Sequence, residues 1–282
     1  MRSVVWSLMS VAALALAGCN NSGSSSSDGD ANGAAAAVPS TVSGTVSVRG
    51  DAQVSPQAKL DISLVDVSVQ GSAPLATKTV QPVGSFPQQF SLTIKPEQIN
   101  PNDLYVVQAT LVDGERHYSM PLQAPVLTKG AAAQVTIQLV PEQTAGEKEL
   151  AAFTSVQSRI GGMKVTSGTK LEKDSSLGWQ VFREGGEVKF IRELVDNGDK
   201  GFISNDFAYK AGKPWVVVQQ HKANQNAKPS AIDRAGWNDA GELVLKQHEV
   251  DGKVDVLSDG DAADLQKQAS DMLNLATGGK GK

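Results

Sequence analysis

The side chains in this sequence that could carry out chemistry are few and far apart. The 282 residues contain three histidines, His117, His221 and His248, and one cysteine, Cys19. His221 and His248 could face each other across paired strands and bind a metal ion, but a solvated histidine on a strand is the commoner situation. The sequence has no histidine-rich metalloprotease helix, nucleophile elbow, phosphate-cradling glycine loop or dinucleotide fingerprint. We therefore expect no catalytic residues, no metal site and no cofactor, in a protein that is not an enzyme.

Composition and charge exclude further classes of function. The chain has 26 lysines and arginines against 30 aspartates and glutamates, a formal net charge of −4. Nucleic-acid binding needs a basic face for the phosphate backbone, so we expect no nucleic-acid partner. A single cysteine rules out an internal disulfide and a cysteine-based zinc cluster. At roughly 100–200 residues per domain, the length indicates one or two domains.

The single cysteine ends a segment with the features of a secretion signal. A positive start at Arg2 precedes an almost unbroken apolar run from Val4 to Leu16. As a helix this run would span about 20 Å, less than the roughly 30 Å hydrocarbon core of a bilayer, so residues 1–18 are predicted to be a signal peptide. The tetrad Leu16-Ala17-Gly18-Cys19 resembles the bacterial lipobox. The resemblance implies cleavage after Gly18 and transfer of acyl chains to the sulfur of Cys19.

The residues after the cysteine predict the destination of the anchor. Asn20 follows Cys19, and by resemblance to the sorting rule of enteric bacteria the lack of Asp there implies the outer membrane. Residues 19–37 are mostly Ser, Gly, Ala and Asn, which bury too little apolar surface to fold. They are predicted to be a flexible lipidated tether with a reach of roughly 25 Å. We expect the protein to be held in the outer membrane by its acyl chains and to face the periplasm.

Residues 38–142 show the period of two that is typical of half-buried strands. Phe90, Leu92 and Ile94 alternate with polar residues, and so do Val135, Ile137 and Leu139. About seven such short segments, separated by Pro and Gly turns and without a convincing helix, predict an antiparallel β-sandwich or barrel.

Several of these segments resemble one known family. Their order along the chain is similar to that of the YbaY/YscW-like lipoproteins; the segments are 42–46, 60–68, 87–92, 105–109 and 125–128. The resemblance covers about 100 residues and implies a lipid-anchored β-sandwich. Within that family, the type III secretion members act as pilotins that carry a secretin subunit to the outer membrane, and the YbaY members have no assigned activity. This chain has an additional C-terminal half that a compact pilotin lacks.

Residues 146–276 predict a second domain, an antiparallel meander with a helix at each end. Leu150, Phe153 and Ile160 recur at helical spacing before Gly161-Gly162, and residues 262–276 carry a second apolar stripe. Between them, about six strands alternate with turns such as Asp251-Gly252, a strong hairpin signal. Residues 277–282 are predicted to be a flexible tail.

One polar stretch interrupts the meander. Residues 221–235 are rich in Asn, Gln and Lys, and loops longer than about 12 residues are usually functional or disordered. Trp215 and Trp237 flank this stretch, and tryptophan is enriched at recognition sites. His221, Trp215 and Trp237 are therefore candidates for a binding loop. The alternative is that both indoles fill the core while the loop extends into solvent.

These observations predict a mainly β, non-catalytic outer-membrane lipoprotein that serves as a binding or assembly module of the cell envelope. Its expected partners are the membrane, through the acyl chains, and an envelope protein that could add a strand to an exposed sheet edge. Two alternatives remain open. One is a hydrolase or lysozyme-inhibitor-like protein directed at cell-wall glycan, and the other is a pilotin-like chaperone of a secretin.

Overall fold

The computed structural model describes residues 38–50 and 53–278, and it contains two β-sheets of eight strands each. The predicted signal peptide and tether, with Gly18 and Cys19, lie outside the described residues, as do residues 279–282 of the predicted tail. None of the helices within the described ranges is both long and apolar enough to cross a membrane. The prediction of a mainly β fold with two helices in the C-terminal half is confirmed.

The first sheet curls around an apolar core. Its strands are β1 Thr41–Val48, β2 Lys59–Asp66, β3 Ala76–Val80, β4 Gln88–Thr93, β5 Tyr105–Asp113, β6 Arg116–Ser119, β7 Ala124–Val126 and β8 Gln134–Pro141. Their spatial order is β3-β2-β5-β6-β8-β1-β4, with β7 also pairing with β5. The end strands β3 and β4 approach each other without pairing, so the sheet nearly closes. We call this part of the chain the sandwich.

Strand β1 departs from the predicted antiparallel arrangement. It is antiparallel to β4 but parallel to β8. The two parallel strands are far apart in sequence, so no tight hairpin fixes their relative direction. Gly44 lies at their contact, where a Cβ atom would come within 2.0 Å of the Val135 carbonyl oxygen and 2.9 Å of the Phe90 ring. The close approach of β1 and β8 therefore requires glycine at this position.

The second sheet is a meander in which each strand pairs with its neighbours in sequence. Its strands are β9 Lys164–Leu171, β10 Ser176–Glu184, β11 Glu187–Asp196, β12 Phe202–Lys210, β13 Lys213–Lys222, β14 Ala231–Trp237, β15 Leu243–Val250 and β16 Lys253–Asp255. The two strands that the sequence did not predict are β9 and β14. Strand β9 is exposed along nearly its whole length, so it has no buried face to produce an alternating pattern.

Two helices cover opposite faces of this meander. Helix α1, Ala145–Arg159, begins with a capping box in which Thr144 and Glu147 exchange hydrogen bonds. Helix α2, Asp259–Thr277, begins at Ser258, whose hydroxyl accepts a hydrogen bond from the Asp261 amide at 3.1 Å. An apolar cluster lies under each helix, and we call these the α1 cluster and the α2 cluster. Successive residues of β13 alternate between them: Val216 and Val218 pack in the α1 cluster, and Val217 packs in the α2 cluster.

The long loop predicted for residues 221–235 is wrong. His221 lies in β13 and residues 231–235 lie in β14, so the connection is residues 223–230. The hairpin is closed by the amide of Ser230, which donates to the carbonyl of His221 at 2.8 Å. Residues 223–230 carry most of the Asn, Gln and Lys of this segment as the connection between the two strands, and within the strands His221 and Asp233 face other polar groups.

Candidate functional site

The two tryptophans of the predicted binding loop lie on opposite faces of the sheet and are buried. Trp215 is the extra residue of a β-bulge, since its neighbours Pro214 and Val216 pair with consecutive residues of β12. The bulge places its indole in the α1 cluster, where Nε1 donates to the Glu149 carboxylate. Trp237 packs in the α2 cluster. The edges of both indoles reach one cleft of about 570 Å³.

His221 lies in a different cleft, with His248. The two imidazoles are not on paired strands, as the sequence suggested, but on β13 and β15 on either side of β14, which carries Asp233. The Asp233 carboxylate is 2.5 Å from Nδ1 of His248 and 3.5 Å from Nε2 of His221. The hydrogen bond with Asp233 raises the pKa of His248. Across residues 38–50 and 53–278, no group of three or more His, Cys, Asp or Glu side chains is arranged to hold a metal ion.

This histidine cleft is one end of a longer line of polar side chains beneath α2, which we call the polar row. Glu193, Asn205, Gln219, Asp233 and His248 lie directly opposite one another on five consecutive strands, β11 to β15. Residues that are directly opposite in an antiparallel sheet share a face, so the row crosses the sheet at right angles to its strands. Local sequence patterns do not reveal this row, because each of its polar residues lies on a separate strand.

The other end of the polar row is buried. Glu193 is 5% exposed and Asn205 is fully buried. Glu193 accepts hydrogen bonds from Asn205 Nδ2 at 2.6 Å and from Gln268 Nε2 of α2 at 3.0 Å, and Gln219 donates to Asn205 at 2.9 Å. Burial raises the pKa of Glu193. The hydrogen bonds satisfy these groups, so this end of the row positions α2 on the sheet.

The sandwich carries an exposed apolar feature that the sequence did not predict. Strand β5 pairs with β7 through residues 105–107 and with β6 through residues 111–113, which leaves residues 108–110 between the two. There the Ala109 amide donates to the Met120 sulfur at 3.0 Å. The segment from Met120 to Gln123, which joins β6 to β7, lines a groove of about 310 Å³ together with residues of β5. We call this the sandwich groove.

The lining of the sandwich groove is apolar and reaches solvent. Its apolar side chains are those of Val67, Val106, Ala109, Met120, Pro121 and Leu122. Leu122 is 79% exposed and Val67 39%, although both are large apolar residues. None of the described residues that line the groove is charged; its polar side chains include Gln108 and Gln123. Exposed apolar side chains that share one groove make it a candidate contact site for another molecule. The only available sequence signal was an apolar residue, Leu122, in a turn between two strands.

Comparison with known proteins finds a family match over most of the sandwich. Residues 37–139 match the model of a family described as type III secretion system lipoprotein chaperone (YscW). The predicted resemblance of the N-terminal β domain to this lipoprotein family is confirmed. A solved structure of an alternative pilotin from the type II secretion system of Vibrio cholerae is 22% identical, with a TM-score of 0.34, over 36% of this chain and 96% of that chain. No curated protein matches the chain.

Proposed function

We propose that this protein is a lipid-anchored chaperone of the outer membrane whose sandwich holds a client protein of a secretion system, as a pilotin holds a secretin. The observation that carries the proposal is the family match over residues 37–139, which spans β1 to β7 and most of β8. The anchor in this proposal is acylated Cys19, at the end of the lipobox-like tetrad. No catalytic step is assigned to the chain.

We assign client binding to the sandwich groove. The groove lies within the family-matched segment, and its walls expose Leu122 and Val67 at a site where a monomer gains nothing from exposing them. Its volume of about 310 Å³ is at the small end of ligand pockets and fits a few side chains. The occupant we propose is an apolar segment of the client.

The uncharged lining distinguishes client binding in the sandwich groove from binding through the second sheet by its dependence on salt. Apolar association is screened little by salt, whereas association through charged surfaces weakens as ionic strength rises. Client binding through the sandwich groove is therefore expected to persist at 0.5 M salt. Binding through the second sheet, where the histidine cleft is lined by Asp233, Asp261 and Asp264, would be salt-sensitive.

The test is the location and assembly of each secretin in cells that lack this chain. Deletion is expected to leave one secretin unassembled or in the inner membrane, and expression of the wild-type chain is expected to restore it. The Leu122→Ser variant, which makes the rim of the groove polar, is expected to restore it poorly. The matched control is Val256→Ser, because Val256 is 75% exposed but directly follows β16 of the second sheet. Normal assembly of every secretin in the deletion strain would refute the proposal.

A second variant separates the anchor from the client site. Cys19→Ser is expected to release the chain from the membrane while leaving the groove intact. The client should then co-purify with a soluble chaperone and fail to reach the outer membrane. Unchanged membrane fractionation of the Cys19→Ser variant would contradict the anchor and leave the groove assignment standing.

A further inference from the structure

Strand β9 is a long edge strand of the second sheet. It runs for eight residues, pairs with β10 alone among the strands that the structure describes, and keeps an unbroken register without a bulge or a proline. The opposite edge of the same sheet, β16, has three residues, two of which are the charged Lys253 and Asp255. Proteins usually shorten, charge or bend their edge strands to prevent pairing with other chains. By this comparison β16 is protected by its shortness and its charges, whereas β9 carries its two lysines, Lys164 and Lys170, near its ends and leaves residues 165–169 uncharged and open to another strand.

We propose that β9 pairs with β9 of a second copy of this chain, antiparallel and about a two-fold axis at Gly168, so that two meanders form one continuous sheet. A two-fold axis makes each contact occur twice. With the axis at Gly168, Val165 lies opposite Leu171 of the second copy. These residues are 49% and 83% exposed in one chain, and the pairing covers both. This proposal concerns the second sheet and is independent of the client site.

Charge favours this register over one with the axis at Ser167. With the axis at Gly168, Lys164 lies opposite Glu172 of the second copy, which directly follows β9. Moving the axis to Ser167 would instead place Lys164 opposite Lys170 of the second copy, and like charges directly opposite are destabilising. Within one chain, Lys164 lies opposite Arg183 on β10, another cation. Glu172 of the second copy would bring a negative charge to these two.

The centre of the proposed pairing also fits a symmetric contact. Trp179 of β10 lies over Gly168, where a Cβ atom would come within 2.2 Å of the indole. Glycine thus allows the half-buried indole to extend to the free edge of β9. At the two-fold axis, Gly168 meets its own copy, and the two indoles flank the pair on one face. Aromatic cover of this kind stabilises a glycine at a strand edge.

Disulfide trapping in membranes of cells that produce the full chain tests the pairing. The Val165→Cys/Leu171→Cys variant is expected to form a disulfide-linked dimer on mild oxidation, because the two cysteines face each other across the copies. On one strand these positions are six residues apart, about 20 Å, so no disulfide forms within a chain. Each single variant is a control, since its cysteine lies about 20 Å from its own copy. The wild-type chain reports any disulfide formed through Cys19.

A charge exchange provides the second measurement. Lys164→Glu places two pairs of like charges across the interface and is expected to weaken dimerisation about tenfold, as judged from exposed ion pairs. Lys164→Glu/Glu172→Lys restores opposite charges and should recover the dimer. Three results would overturn the proposal: no dimer in the double-cysteine variant, equal dimer in either single variant, or a disulfide to a different protein in place of the second copy.

Discussion

The buried ion pair at Asp206 gives the sharpest stability prediction. Asp206 is 6% exposed and joins three elements beneath α1. Its carboxylate accepts hydrogen bonds from Arg192 Nε at 2.7 Å and Nη2 at 2.8 Å, and from Gln157 Nε2 of α1 at 2.8 Å. The Asp206→Ala variant removes all three bonds and leaves a guanidinium and an amide without their acceptor.

The expected loss follows from the exposure of the remaining cation. Removing one member of a buried ion pair costs about 3–5 kcal/mol. The Arg192 side chain keeps 32% of its surface exposed, so water can replace part of the lost interaction. We therefore expect Asp206→Ala to lower the free energy of unfolding by about 3 kcal/mol, at the lower end of that range. Gln157→Ala, which removes one uncharged donor, should cost about 1 kcal/mol.

Urea unfolding followed by tryptophan fluorescence measures this loss in the right part of the chain. Three of the four tryptophans, Trp179, Trp215 and Trp237, lie in the second sheet, so their emission reports on that sheet. The control is the double variant Arg192→Met/Asp206→Leu, which replaces both charges by apolar groups and should be more stable than Asp206→Ala. The Arg192→Met and Asp206→Leu single variants complete the cycle. A double variant that loses as much stability as these two single variants lose when added together would refute the ion-pair explanation.

Two further predictions concern Gly44 and the histidine cleft. Gly44→Ala forces a Cβ atom to within 2.0 Å of the Val135 carbonyl oxygen and should destabilise the sandwich by at least about 2 kcal/mol, as measured by thermal unfolding. The control is Gly178→Ala, because Gly178 has open space around it. Equal stability of the two variants would contradict the prediction. Because Asp233 raises the pKa of His248 in the folded chain, the stability that this pair provides is present below the unfolded-state pKa and is lost as pH rises through the folded one. Asp233→Asn should therefore lower Tm more at pH 5.5 than at pH 9 and return the NMR-titrated pKa of His248 toward its ordinary value, and a pH-independent loss would refute the assignment.

The sequence predicts those elements that have one buried face and one exposed face. The alternation in β4 and β8 and the helical spacing around Phe153 indicate their structures correctly, because burial on one side imposes a period. Strand β9 escapes prediction because neither face is buried. Strand β14 escapes because Asp233 faces polar side chains of Gln219 and His248 under α2, which interrupts the apolar alternation on that face.

The candidate sites depend on tertiary pairing and are therefore less predictable than the strands. Trp215 and Trp237 are close in the predicted meander, but a one-residue bulge at Trp215 sends them to opposite faces. No local rule places a bulge of this kind. The sandwich groove likewise depends on residues 108–110 of β5 remaining between two partner strands, which is a property of the complete sheet. The sequence indicates which polar and aromatic residues are candidates for a site, but not which of them lie close together in the folded chain.

The two proposals together have a consequence that neither has alone. A chaperone that pairs through β9 presents two sandwich grooves on one assembly, both anchored to the same membrane. A client with several identical subunits can then be held at two points, and the second contact forms at a high effective concentration. Lys164→Glu should therefore weaken retention of an assembled client while leaving the affinity of one groove for one subunit unchanged, whereas Leu122→Ser should weaken both. Because the two substitutions lie on different sheets, this difference distinguishes loss of the second contact from loss of the site itself.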